Sequence, residues 1–172
     1  MPCPLYKLAQ CQPDAIAVCR DGSEYTFADF DALVQRYAAA LAERHLGAGQ
    51  HLAVAAANSV HYLALIVAAL RQRIVICPLN IRWPVATLRA AVQQVDADLI
   101  VADDAMLEVL DLPAVAFEEL NATATVPQAP SWDPSATATV VFTSGTSSAM
   151  PKAAVHRLES HCCSARGANS NL

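Results

Sequence analysis

Ten consecutive residues carry the types and order that could do chemistry: Thr143-Ser144-Gly145-Thr146-Ser147-Ser148-Ala149-Met150-Pro151-Lys152. Six of them are Thr, Ser or Gly, and a lysine closes the run. The apolar residues Val140-Val141-Phe142 lead straight in, so the order describes a strand, a flexible polar loop and then a cation. Such a loop can turn backbone N–H groups and hydroxyls toward one anion while the lysine neutralises part of its charge. A phosphate chain suits that arrangement. The same composition also makes an ordinary polar surface turn, and the residues alone leave both readings open.

The loop is not a Walker-type P-loop, which needs Gly directly before the Lys and Ser or Thr directly after it. Here Pro151 precedes Lys152 and Ala153 follows it. The dinucleotide-binding G-x-G-x-x-G pattern is absent as well.

Thr-Ser-Gly-Thr, a short gap and then Pro-Lys resembles the signature loop of the adenylate-forming enzymes, the acyl-CoA synthetases, peptide-synthetase adenylation domains and luciferases. Two departures stand out. Ser148 occupies the place of the usual second Gly, and Met150 reads as a one-residue insertion, so Lys152 lies seven residues after Gly145. Pro151-Lys152-Ala153-Ala154-Val155-His156, with Ser160-His161 and Ser164-Ala165-x-Gly167, is similar to the o-succinylbenzoate–CoA ligases of menaquinone biosynthesis. Pro78-Leu79-Asn80-x-Arg82-x-Pro84 fits the same branch.

The resemblance implies an ATP-dependent acid–thiol ligase that adenylates a carboxylate, o-succinylbenzoate or that of another acyl-CoA synthetase substrate, and passes it to CoA. It implies ATP, Mg²⁺ and CoA as the small-molecule partners. It assigns Thr143, Ser144, Gly145, Thr146, Ser147, Ser148 and Lys152 to the β- and γ-phosphates, and no catalytic side chain. The family's chains run several hundred residues, so the resemblance implies an N-terminal portion that makes no acyl-adenylate by itself. A non-catalytic binding or interaction module is the alternative from another class.

The elements that must position this loop follow from periodicity. Leu5 to Gln12 predicts a short helix, and Ala15–Cys19 and Glu24–Phe27 a hairpin about the Asp21-Gly22 turn. Thr26 with Asp29 predicts a helix start, and Phe30, Leu33, Val34, Tyr37 and Leu41 form its apolar stripe, with Gly47 after its end. A strand over His51–Ala57, a helix capped by Asn58 or Ser59 and apolar nearly all round, and a strand over Ile74–Cys77 come next. Pro84 starts another helix, with Leu88, Val92 and Val95 on one face, before a strand over Leu99–Ala102. Met106–Leu112 predicts a short helix and Val115–Phe117 a short strand. This alternation argues for an α/β fold of βαβ units on a mostly parallel sheet. By resemblance, that is the N-terminal part of the large domain of an adenylate-forming enzyme.

Three segments are expected. Residues 1–120 form a βαβ subdomain. Residues 121–136, with Pro127, Pro130 and Pro134, form a linker. Residues 137–172 hold a strand, the loop and the start of a further subdomain, with a strand over Ala153–His156 and a helix over Glu159–Gly167.

Composition narrows the function classes. The chain is 55% hydrophobic with mean hydropathy +0.31, against a usual apolar share of about 45–50%. Only 16% is charged, so helix faces are expected to be covered by the missing C-terminal part or a homo-oligomer partner. A net charge of −5 without a basic cluster argues against nucleic acid. No secretory signal opens the chain, and its longest apolar run, Val60 to Leu70, is short of the ~20 residues that span a bilayer. The six cysteines include no C-x-x-C pair and read as reduced cytosolic thiols, with Cys19 and Cys77 as small core residues. Two histidines, His156 and His161, beside the adjacent Cys162 and Cys163, have poor metal-ligand spacing, and no metal site is expected of them. His156 reads as a structural histidine.

Overall fold

The computed structural model describes residues 3–120, 122, 132–143 and 151–169. Helix α1 (Pro4–Cys11) precedes a two-stranded antiparallel hairpin, β1 (Ile16–Arg20) and β2 (Ser23–Thr26). Asp21 and Gly22 at its tip both have positive φ, 52° and 79°. That is the backbone a two-residue hairpin turn requires, and Gly supplies it without a Cβ penalty. Cys19 lies opposite Glu24 one step from this turn and is exposed, contrary to the core reading. A two-stranded ribbon has no second layer over its outer part, so an apolar run there does not mean burial. Cys77, on an interior strand, is fully buried as expected.

Helix α2 (Phe27–Glu43) starts where its caps require. The Thr26 hydroxyl accepts the Asp29 N–H at 3.1 Å, and the Asp29 carboxylate accepts the Thr26 N–H at 3.1 Å, a reciprocal capping box. Its expected stripe, Phe30, Leu33, Val34, Tyr37 and Leu41, is buried throughout.

Among the described residues six strands make the main sheet: β3 (His51–Ala55), β4 (Val75–Pro78), β5 (Leu99–Ala102), β6 (Val115–Ala116), β7 (Thr137–Thr143) and β8 (Lys152–Arg157). Their order is β6-β5-β3-β4-β7-β8, all parallel except β8. Between them lie α3 (Val60–Arg71), α4 (Val85–Gln94) and α5 (Asp104–Leu110), and α6 (Leu158–Asn169) follows β8.

Alternation along the inner strands fills both faces. Leu52, Val54, Ile76 and Val101 join the core under α2 and α3, while Ala53, Ala55, Val75, Cys77, Ile100 and Ala102 face α4 and α5. Strands covered on both sides read as continuous apolar runs, which is why β3, β4 and β5 look so in the sequence. Helix α3 is less enclosed than expected: Leu63 is 42% exposed, because only one side of the helix meets α2 and the sheet.

Two buried features tie α1, α2 and α3 together. Arg71 pairs with Asp31, whose side chains are 4% and 5% exposed, and Gln35 donates to the same carboxylate at 2.6 Å. The Arg71 guanidinium also reaches Cys3 Sγ at 3.4 Å.

The helix ends use an unexpected residue class. His45, Arg73 and Asp96 follow α2, α3 and α4 with φ of 58°, 59° and 47°. In each case the next residue's N–H bonds back to the last turn: Leu46 to Leu41, Ile74 to Ala69 and Ala97 to Val92. These are Schellman-type ends, normally built on Gly. Gly47, expected to end α2, lies two residues beyond the left-handed position.

Most of the expected linker, 121 and 123–131, lies outside the described residues. Among the described residues no helix is long and apolar enough to cross a membrane.

Candidate functional site

Strands β7 and β8 form an antiparallel hairpin whose open end is closed by Thr143 opposite Lys152. The β-branched residues Thr137, Thr139, Val140, Val141 and Thr143 suit a strand. Directly opposed residues of an antiparallel pair point to one face. Thr143 and Lys152 therefore share a face, both exposed, and the Thr143 hydroxyl donates to the Lys152 carbonyl at 3.3 Å. Five expected phosphate-loop residues, Ser144, Gly145, Thr146, Ser147 and Ser148, lie outside the described residues, as does Met150. The two described members, Thr143 and Lys152, stand at the two feet of that loop.

Thr143 ends β7, which lies beside β4. In open α/β sheets ligands bind outside the carboxyl ends of the strands. The carboxyl end of β4 runs into Leu79-Asn80-Ile81-Arg82-Trp83-Pro84, the second stretch singled out in the sequence. Asn80 Oδ1 accepts the Arg82 N–H at 3.1 Å, turning this segment back. Trp83 then meets Phe142 edge to face, with ring centroids 5.7 Å apart. Trp83 of this stretch and Phe142, next to Thr143, are thus in contact at one end of the sheet, though they lie about sixty residues apart in sequence. An open cavity of about 520 Å³ between the β1–β2 hairpin and α3 reaches Asn58 and Pro78 at the same end.

Sequence reading missed one contact near the loop. His161 of α6 bonds to the Thr139 hydroxyl at 2.9 Å, and its ring lies 5.7 Å from that of His156. Burial, and then the neighbouring His156, lower the His161 pKa below its ordinary value. The polar alternation Thr137, Thr139, Thr143 was the available signal, but nothing in it named the partner. Cys77, under the sheet beside Val140, has its thiol pushed up to about 12 by burial, which keeps it protonated and unreactive. Among the described residues no three His, Cys, Asp or Glu side chains gather around a common metal position.

A model of the AMP-binding enzyme family matches residues 5–171. The chain belongs to that family. Among curated proteins, the chain is 29% identical over 171 residues to the FR901469 synthetase of Dothideomycetidae sp. (strain 11243), covering 95% of the chain and 1% of that protein. Among solved structures, its fold matches o-succinylbenzoate coenzyme A synthetase from Bacillus subtilis in complex with AMP. The TM-score is 0.88 at 23% identity, over 100% of this chain and 46% of that one. The same enzyme with ATP and magnesium ion matches at 0.86 and 21%, over 99% and 47%. A putative long-chain-fatty-acid CoA ligase from Rhodopseudomonas palustris matches at 0.82 and 18%, over 93% and 45%. The chain therefore spans less than half the length of these structures, and identities this low carry the fold alone.

Proposed function

We propose that this chain is the N-terminal portion of an ATP-dependent acid–CoA ligase, with o-succinylbenzoate as its carboxylate. The observation that carries the reading is the Thr143–Lys152 pair at the feet of the Ser/Thr/Gly loop, in a chain matched to the AMP-binding family from residue 5 to residue 171. Loop residues Thr143, Ser144, Gly145, Thr146, Ser147 and Ser148 give hydroxyls and N–H groups to the β- and γ-phosphates, and Lys152 neutralises part of their charge. The fit to ATP rests on that donor set: a hydroxyl and an ammonium exposed on one face, at the carboxyl end of a parallel strand. Bound Mg²⁺ would add charge neutralisation on the phosphate oxygens.

The reaction then runs by positioning. A carboxylate oxygen attacks the α-phosphorus, and the bond to the bridging oxygen breaks. Pyrophosphate leaves, with its growing charge met by the loop and Lys152. The CoA thiol, losing its proton, next displaces AMP at the acyl carbon to give the thioester. The groups that hold adenine, ribose and carboxylate for the first step, and those for the second, would come from the rest of the enzyme, so the 172-residue chain alone makes no acyl-adenylate. Residues 121–136 act as the connector, and the exposed Ile16, Leu63, Val109 and Val155 are covered by the rest of the enzyme or a second copy. A second reading has a different carboxylate, since the fold is also shared with a putative long-chain-fatty-acid CoA ligase. A binding module without catalysis is the reading from another class.

The test is Lys152→Ala in the full-length enzyme. ATP–pyrophosphate exchange with o-succinylbenzoate should fall about 10²-fold, while CoA transfer from supplied acyl-adenylate persists. Equal loss in both half-reactions would remove the phosphate role. Exchange catalysed by the 172-residue chain itself would overturn the statement that it is inactive alone.

A further inference from the structure

The β7–β8 hairpin contains one irregularity. Thr137 pairs with Arg157, yet Thr139 pairs with His156, so Ala138 is an extra residue on β7. This is a β-bulge, and it sets the register of everything beyond it. Val140 then pairs with Val155, Val141 with Ala154, Phe142 with Ala153 and Thr143 with Lys152. A one-residue slip would carry a whole side-chain set to the other face. It would take Lys152 off the face of Thr143.

The bulge is held from one side. The N–H groups of Leu158 and Glu159, at the start of α6, donate to the carbonyls of Ala136 and Pro134 at 3.0 and 2.9 Å. His161, one turn further, bonds the Thr139 hydroxyl, the first side chain past the bulge. His156, paired with Thr139, lies against the His161 ring. Thr139, Val141 and Thr143 share a face with His156, Ala154 and Lys152. The His161 anchor and the loop foot are therefore two ends of one side-chain row, opposite the buried Val140.

We propose that His161 is a positioning residue: by bonding Thr139 beside the Ala138 bulge, it locks the hairpin register that sets Lys152 across from Thr143. The register statement stands on the geometry alone. Its consequence for nucleotide binding rests on the phosphate reading above.

The experiment is heteronuclear NMR on the isotopically labelled full chain, reading cross-strand contacts Val141–Ala154 and Val140–Val155, followed by titration with Mg–ATP. H161F keeps a ring but removes both nitrogens, T139V removes only the hydroxyl, and H161Q keeps a hydrogen-bonding amide. H161F and T139V should lose the native cross-strand contacts while those of β3–β4 persist, and H161Q should keep them. Should H161F fail to fold, T139V decides the question. Native contacts retained in T139V, or lost equally in H161Q, would overturn the proposal, the latter by assigning the effect to ring packing. A native register in the unsubstituted chain with no Mg–ATP shift at Lys152 would sink the phosphate reading and leave the register lock standing. Lys152 shifts that vanish in T139V together with the native contacts would support both.

Discussion

The Asp103 carboxylate accepts the Ala57 N–H at 2.8 Å with one oxygen while its other oxygen accepts the Met106 N–H at 3.1 Å. Ala57 follows β3 and Met106 lies in the first turn of α5. One side chain therefore caps a helix and pins the loop after the neighbouring strand. Strands β3 and β5 send their connections to opposite faces of the sheet, so Asp103 holds the point where the winding divides. Asp103→Ala should cost about 2 kcal/mol, the upper range of a lost cap, because a second N–H is orphaned with it. Urea unfolding checks this. A loss below about 0.5 kcal/mol would mean that the Ala57 contact carries no weight.

Replacing the left-handed residues after α2, α3 and α4 by Gly should raise stability. The penalty of an L side chain there is roughly 1–2 kcal/mol, offset in part by the roughly 0.5–1 kcal/mol entropy cost of Gly. Arg73→Gly should gain most, near 1 kcal/mol, and Asp96→Gly least, because a short polar side chain tolerates this backbone. Open space is not the issue at these positions; the backbone angle is. Thermal melts of the single variants would show the order, and a loss on Arg73→Gly would refute it.

The His161 pKa predicts the pH dependence. Its folded value is lowered from 6.5, by burial first and by His156 second. The unfolded chain therefore takes up the proton first as pH falls, and stability is full above about pH 6.5 and declines below it. The Asp98 carboxylate is also lowered, by the His51 N–H and then Gln50, so a second decline follows below about pH 4. Melting temperatures from about pH 7.5 to 5.5 should fall, and H161Q should flatten that upper phase while leaving the acid phase in place.

Much of this fold is legible in the sequence where a local rule decides it. Thr26 and Asp29 spell out a capping box, the α2 stripe repeats at helical spacing, and Ser59 caps α3 through Tyr62 at 3.0 Å, as one of the two candidates. The apolar runs of β3, β4 and β5 mark strands buried on both faces. What could not be read depends on tertiary partners. Periodicity does not tell that β7 lies beside β4, that β8 runs antiparallel, or that Thr139 meets His161. Cys19 and Leu63 look like core residues because hydropathy cannot report which side of a hairpin or helix lacks a neighbour. The left-handed ends at His45, Arg73 and Asp96 escape a search that looks for Gly. Of the candidate site, the strand leading up to Thr143 was legible, and the face that Thr143 shares with Lys152 came only with the pairing.

Strand order also has a consequence during synthesis. Strand β4 ends at Pro78, but the neighbour on its far side, β7, begins only at Thr137. A ribosome adding about 5–20 residues per second needs roughly 3–12 s to cover that gap. Throughout it, the nascent chain offers the open backbone edge of Val75-Ile76-Cys77 to any passing strand. Chaperone demand in this protein should therefore concentrate in the interval before β7 emerges, and slowing translation between codons 79 and 136 should raise aggregation.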